Sequence, residues 1–289
     1  MKILICGASG FVGRHLTQAL RNNGHTVIRA VRTPSESGDI AVDFCRDTTA
    51  DVWLPRLENI DVVINAVGVL RDSTKNPMSA LLADTPVALF AACETSNVQR
   101  VIHVSALGVD SGIAVPYFNH RLTAEAALHK LPARIKTLCL RPSVIYGADG
   151  ASAKMFRSMA QLPVQVLPMG GVQSLQPVHI DDLCAAVKNW LADTHAKSLT
   201  VDVVGSEATT IRGMLDSYRA QLGHSSALHL ALPQPLVKII ARLGDFVPSA
   251  PLCSDTYAML SAGNTTSALG FSQLLGRIPQ SFQQFIQHA

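Results

Sequence analysis

The sequence predicts an α/β fold: a doubly wound parallel sheet with helices on both faces, followed by a smaller, mostly helical C-terminal lobe. Three observations lead there. Apolar runs of strand length recur at 3–6, 26–31, 39–44, 62–67, 100–105 and 137–145. Their side chains are apolar on both faces, as buried parallel strands require. Longer helical patterns at 11–22, 78–96 and 118–130 lie between them, giving the alternation of a βαβ succession. After Pro142 the alternation loosens, and from about 206 the pattern is mostly helical.

Each element follows from its residues. The run ILIC (3–6) leads through three glycines into the first helix, and TVIRAV (26–31) ends among polar residues. VVINAV (62–67) stops at Gly68, and RVIHVS (100–105) precedes a short loop and the helix that begins near Phe118. The segment 146–172 mixes Gly, Pro and Met around a short helix. QPVHIDDLCAAVKNWLAD (176–193) reads as a strand end entering a helix, with Asp181 and Asp182 near its positive end. LTVDVVG (199–205) reads as one more strand. The expected division is therefore 1–145 with 173–205 as a nucleotide-binding domain, and 146–172 with 206–289 as the small lobe.

Composition narrows the function classes. The 289 residues are 48% hydrophobic and 16% charged, which describes a globular chain. The net charge is +3, and the 24 Lys and Arg are scattered, so the basic stripe of a nucleic-acid binder is missing. The six cysteines stand far apart with no C-x-x-C pair. They read as buried thiols of a cytoplasmic protein, with no metal site. The first strand pattern starts almost at once, which leaves no signal peptide to read. The apolar stretch 227–247 is broken by Pro233, Pro235, Lys238 and Arg242. It reads as a helix packed on its own protein, with a surface-lying helix as the alternative, and not as a membrane span.

The first glycine-rich loop carries the strongest functional signal. In GASGFVG (7–13) a strand precedes the glycines and a helix follows, the context that gives such a motif meaning. Gly7 permits the turn, Gly10 lets main-chain N–H groups approach a pyrophosphate, and Gly13 lets helix and strand pack closely. Ser9, Phe11 and Val12 complete the cradle at the positive end of the helix. The domain is thus expected to be Rossmann-type. At the end of the second strand, an acid would receive the 2′-hydroxyl of NAD, whereas Arg would accommodate the 2′-phosphate of NADP. VIRAVRTP (27–34) has no acid, and Arg32 stands at the strand end. The expected cofactor is NADP(H), with NAD(H) second. A solvated surface charge is the alternative for Arg32 and the preferred reading for Arg29.

Further contacts follow along the sheet. Asp43, beside Phe44, is placed to accept from an adenine amino group, or else to cap a turn. Ala66, Val67 and Gly68 pass the adenosine half, or else simply end a strand. His103, inside a strand, reads as a satisfied core histidine.

Together, GASGFVG, HVSALGVD (103–110), Y-x-x-x-R-x-x-x-E (117–125), LRPSVIYG (140–147) and QPVHIDDL (176–183) resemble the atypical or extended short-chain dehydrogenase/reductases. The likeness is with the NAD-dependent epimerase/dehydratase type, in the branch related to the NAD(P)-binding accessory subunit of respiratory complex I, near the NmrA-like proteins. The resemblance implies a Tyr that gives or takes the proton and a Lys four residues later that lowers the Tyr pKa and holds the nicotinamide ribose. It also implies a Ser or Thr that polarises the carbonyl. Tyr117 matches, Arg121 replaces Lys, and Leu107 stands where the Ser or Thr belongs. Ser105 itself faces the cofactor or caps the strand end, and by the resemblance Pro142, Ser143 and Val144 pass the cofactor's nicotinamide side. A packed aromatic beside a solvated helix charge is the alternative for Tyr117 and Arg121.

The expected function is an oxidoreductase acting on a small carbonyl or quinone-like substrate in the inter-lobe cleft, with Tyr117 as proton donor. The alternative is a non-catalytic NADP(H)-binding sensor or complex-stabilising accessory protein with a protein partner or a second copy of itself. A nucleotide-sugar epimerase is the weaker alternative.

Overall fold

The computed structural model describes residues 1–247 and 250–286. Its chain forms two compact units, one of 1–141 with 184–201 and the other of 142–183 with 202–289.

The first unit is built on strands β1 (Lys2–Cys6), β2 (Thr26–Val31), β3 (Ile40–Ala41), β4 (Val62–Asn65), β5 (Arg100–Val104) and β6 (Lys136–Pro142). Every pairing among them is parallel. With the strand Leu199–Val203 at the edge beside β6, the order is Leu199–Val203, β6, β5, β4, β1, β2, β3. The order reverses between β1 and β4, the point where open α/β sheets place ligands. The expected doubly wound α/β sheet is what the chain forms. The third strand is shorter than the 39–44 expected, because Asp43 turns the chain within its own hydrogen bonds. Its carboxylate accepts from the Cys45 N–H at 3.0 Å.

Helix α1 (Phe11–Asn22) buries Gly13, Leu16, Thr17 and Leu20, the i, i+3, i+4, i+7 stripe of a helix on a sheet. A short helix α2 (Ala50–Trp53) inserts Trp53 into the core beside Phe44. The long pattern at 78–96 becomes a π-helical turn, Ala80–Asp84, running into α3 (Thr85–Thr95). Pro86 lies in the first turn of α3, where its missing N–H removes an intrahelical bond from the preceding turn.

Helix α4 (Pro116–His129) opens with Pro at its first position and buries Phe118, Arg121, Ala124, Glu125 and Leu128. Two charged residues thus lie on its inward face. Glu125, 2% exposed, receives a bidentate clamp from Arg141 of β6, with Nε at 3.0 Å and the terminal nitrogen at 2.6 Å. Asp110 accepts from the other terminal nitrogen. This clamp ties α4 to β6, and the sequence pattern alone did not show it.

In the second unit, helices Ala151–Gln161 and Ile211–Gln221 share a core of Tyr146, Leu167, Met214, Tyr218 and Phe285. Asp182, fully buried, receives Arg277, the Gln280 N–H at 2.7 Å and the Gln280 amide at 3.1 Å. Its role is to hold the segment 277–280, beyond the helix-end complementarity expected of it.

The stretch 227–247 departs from the single packed helix expected. Leu228–Leu232 is a strand, parallel to Val164–Pro168. The alternation L-H-L-A-L has the period of a strand, and Pro233 closes it. A helix, Gln234–Gly244, follows with Pro235 in its first turn, and it buries only Val237, Ala241 and Gly244. Among the described residues no helix is long and apolar enough to cross a membrane.

The Glu125–Arg141 clamp gives a stability prediction. Removing one partner of a buried ion pair costs about 3–5 kcal/mol, and because Asp110 still pairs with Arg141 the cost here falls at the lower end. Glu125→Ala is expected to lower unfolding free energy in urea by about 3 kcal/mol, with Glu125→Asp recovering part of the loss.

Candidate nucleotide site

The site is assembled at the reversal of strand order. Gly7, at φ +77, follows β1 directly, and its N–H donates to the Ala30 carbonyl at 3.2 Å. A Cβ at Gly7 would lie 3.0 Å from the Ala66 carbonyl carbon and the Val67 nitrogen. A Cβ at Gly13 would lie 2.1 Å from the Gly7 carbonyl oxygen. The loop and α1 are therefore in direct backbone contact. Gly10 caps α1 without a side-chain hydrogen bond, and no acid stands in the first turn. The main-chain N–H groups at that end carry the helix's positive pole with no carboxylate to answer it. Ser9 and Gly10 are exposed, and Phe11 and Val12 half-buried, so the cradle is open. These residues fit a dinucleotide's phosphates.

Around that cradle, Arg32 is exposed, and its guanidinium donates to the Asn76 side-chain oxygen at 2.9 Å. Arg29 differs from the solvated charge expected. Its guanidinium forms a two-pronged pair with Asp39, at 2.8 and 2.6 Å, and reaches Glu36. The Arg29 pair and two N–H groups, of Ser35 and Glu36, hold the Asp39 carboxyl well below the usual carboxylate range. Asp43 is exposed and closes its own turn. Phe44 is buried in the core, and its carbonyl accepts from the Thr85 hydroxyl at 2.7 Å. Ala66 is half-buried, Val67 buried and Gly68 exposed, all just past β4.

The ends of β4 and β5 carry an arrangement the sequence did not disclose. Arg121, 4% exposed, turns inward and donates to the Val104 carbonyl at 2.6 Å and the Val67 carbonyl at 3.3 Å. Its guanidinium carbon lies 5.4 Å from the centre of the Tyr117 ring, and a Cβ at Gly68 would meet its terminal nitrogen at 3.0 Å. Arg121 is a buried clamp on two strand ends, not a solvated helix charge. Its Nε has no hydrogen-bond partner among the described residues.

Tyr117 is half-buried against the core, and its hydroxyl makes no hydrogen bond among the described residues. Leu107, in the place of a polarising hydroxyl, is buried. Ser105 is buried, its N–H donates to the Leu140 carbonyl at 2.7 Å, and its hydroxyl has no partner among the described residues. His103, fully buried, meets the Asn65 amide at 3.2 Å and packs edge-on against Phe90. It is only half satisfied, because its Nε2 has no partner among the described residues. Burial, helped by the charges of Arg121 and His129, pushes its imidazole down to about 3. The described cysteines are all free thiols, and burial pushes Cys93 up to about 12.

In the second unit, Pro142 and Ser143 are buried and Val144 half-buried. The Ser143 hydroxyl is engaged with the Asn264 side chain. A cavity of about 460 Å³ is lined in part by Met169, Gln173, Ser174 and Gly263. Met169 holds a left-handed φ of 50 there, and Gly170 and Gly171 follow it in the same region.

A parallel sheet with a glycine cradle at its order reversal defines a dinucleotide-binding class of protein. The NAD dependent epimerase/dehydratase family model matches residues 3–202, and the chain belongs to that family. It is 22% identical over 249 residues to the NADH-ubiquinone oxidoreductase 40 kDa subunit, mitochondrial, of Neurospora crassa, covering 82% of this chain. The chain spans only 64% of that subunit's length. Among solved structures, human epimerase family protein SDR39U1 (isoform 2) with NADPH superposes with a TM-score of 0.74 at 20% identity, over 100% of this chain and 98% of that one. UDP-glucuronic acid 4-epimerase from Bacillus cereus, with UDP-glucuronic acid and NAD, gives 0.66 at 21% identity, over 100% and 99%.

The depressed His103 sets a pH prediction. Between the ordinary value of 6.5 and about 3 the unfolded chain binds a proton that the folded chain does not. Stability is therefore full above the unfolded pKa and declines as pH falls below it. From pH 6.5 to 4.5 the unfolding free energy is expected to drop by about 2 kcal/mol on this account, and His103→Gln is expected to remove that part of the slope.

Proposed function

We propose that the chain binds NADP(H) and keeps it as a redox-sensing or complex-stabilising ligand, acting as a non-catalytic accessory protein. One observation carries this reading: Arg121, in the position where the resemblance implies a Lys that holds the nicotinamide ribose, is buried and bonded to the carbonyls of Val67 and Val104. Both bonds come from one terminal nitrogen, and they anchor the guanidinium at the strand ends, with less freedom than a Lys ammonium to follow ribose hydroxyls. It is also bulkier than an ammonium and stays protonated. Leu107 adds no polarising hydroxyl. The likeness to a protein named as a subunit of NADH-ubiquinone oxidoreductase fits an accessory role with a protein partner.

The chain's own residues divide the work of holding the dinucleotide. The main-chain N–H groups of Ser9, Phe11, Val12 and Gly13 would receive the pyrophosphate, while Gly7 and Gly10, whose N–H groups donate to the Ala30 and Gly7 carbonyls, would shape the turn, and Arg32 would receive the 2′-phosphate. Ala66, Val67 and Gly68 would pass the adenosine half. When bound, the dinucleotide supplies hydride chemistry. The protein's part in any turnover is limited to orientation and one proton.

A second reading rests on Tyr117. Its hydroxyl has no hydrogen-bond partner among the described residues, with the Arg121 cation against its ring. This favours an oxidoreductase acting on a small carbonyl or quinone-like substrate, with Tyr117 as proton donor.

Titration with NADPH and NADH by nucleotide fluorescence tests both. NADPH is expected to bind more tightly than NADH. Losing a charged partner of the 2′-phosphate should make Arg32→Ala weaken NADPH by about tenfold and NADH by less than about twofold. Gly13→Val should abolish both, since its side chain would have to displace the Gly7 carbonyl. With NADPH saturating, simple quinones and aldehydes are expected to cause no nucleotide consumption. Consumption that vanishes in Tyr117→Phe would install the oxidoreductase reading instead, and failure to bind either nucleotide would remove both.

A further inference from the structure

The helix Gln234–Gly244 presents its larger apolar face to solvent. Val237, Ala241 and Gly244 form the narrow buried stripe. Leu236, Ile239, Ile240 and Leu243 recur at i, i+3, i+4 and i+7 on the exposed side, and Phe246 extends the run just past the helix end. Leu243 is 63% exposed and Phe246 85%. Scattered exposed aliphatics are ordinary, but a continuous stripe of large ones marks a docking surface.

Charge identifies the occupant. Lys238 and Arg242, one turn apart and both exposed, lie together along one side of the stripe. The helix carries no acidic residue. Asp245 follows it, and its carboxylate accepts from the N–H and hydroxyl of Ser254, at 2.8 and 2.6 Å. A two-fold pairing of the stripe with its copy would bring four cations to one seam with no helix acid to meet them. An apolar face with long basic side chains at its margin matches an anionic lipid surface, where the stems lie along the hydrocarbon boundary and the charges reach headgroup level. At 11 residues the helix is too short to cross a bilayer and long enough to lie on one.

We propose that the helix Gln234–Gly244, with Phe246, docks the protein peripherally on an anionic membrane surface. The apolar stripe enters the headgroup boundary while Lys238 and Arg242 pair with lipid phosphates. This surface is independent of the nucleotide site and of whether that site turns over.

The test is co-sedimentation of the full chain with vesicles of phosphatidylcholine alone and of phosphatidylcholine with phosphatidylglycerol at 3:1, at low and high salt. Binding is expected to the anionic vesicles and to weaken severalfold at high salt. At roughly fivefold per charge, Lys238→Ala with Arg242→Ala should lower partitioning by about 25-fold. Ile239→Gln with Leu243→Gln should abolish it. Because all four positions are exposed, unchanged melting of each variant separates lost docking from lost folding. Phe246→Trp should give blue-shifted emission on anionic vesicles. Equal binding to neutral vesicles, or no binding to either with Trp emission unchanged, would overturn the proposal. So would concentration-dependent self-association removed by the Ile239 and Leu243 substitutions in the absence of lipid, which would assign the stripe to a second copy of the chain.

Discussion

The carbonyls of Val67 and Val104 mark the feature on which the functional reading depends. They close two adjacent central strands beside the reversal of strand order, and both accept from a single buried guanidinium. Buried main-chain oxygens require donors, and hydrogen bonds from a charged group are stronger than neutral ones. Arg121 meets that need with two of its N–H groups. In doing so it fixes α4 against the sheet, sets its charge against the Tyr117 ring and lies close beside Gly68. One interaction thus links helix placement, the surroundings of the tyrosine and the opening past β4.

A second constraint acts on the other side of the reversal. The clearance between Gly13 and the Gly7 carbonyl leaves no space for a side chain. The loop and α1 therefore hold an open, positively polarised cradle without help from side-chain chemistry. The two halves have different tolerances. The cradle depends on the absence of Cβ atoms, whereas the strand ends depend on one charged side chain. A chain can keep the first while altering the second, which is how nucleotide retention and catalysis become separable.

Much of this was legible in the sequence. The parallel sheet followed from both-sided apolar runs, and the cradle from three glycines between a strand and a helix. The replacement of Lys by Arg and of Ser or Thr by Leu was visible directly. The destination of Arg121 was not, because helix periodicity says which face a residue occupies but not which distant carbonyls it meets. The same holds for Glu125 with Arg141, 16 residues apart in the chain, and for Asp182 with Arg277, 95 apart. The stretch 227–247 misled for a different reason. Its apolar content masked a change of period at Pro233, and composition alone cannot tell an apolar face that is covered from one left to solvent.

The most direct measurement is a crystal structure of the protein with NADPH bound. The account predicts that the Arg121 guanidinium keeps its bonds to the Val67 and Val104 carbonyls and that the Tyr117 hydroxyl stays free of the ribose. An Arg121 that releases those carbonyls and reaches the nicotinamide ribose, with Tyr117 drawn in beside it, would contradict the account and restore a working proton relay.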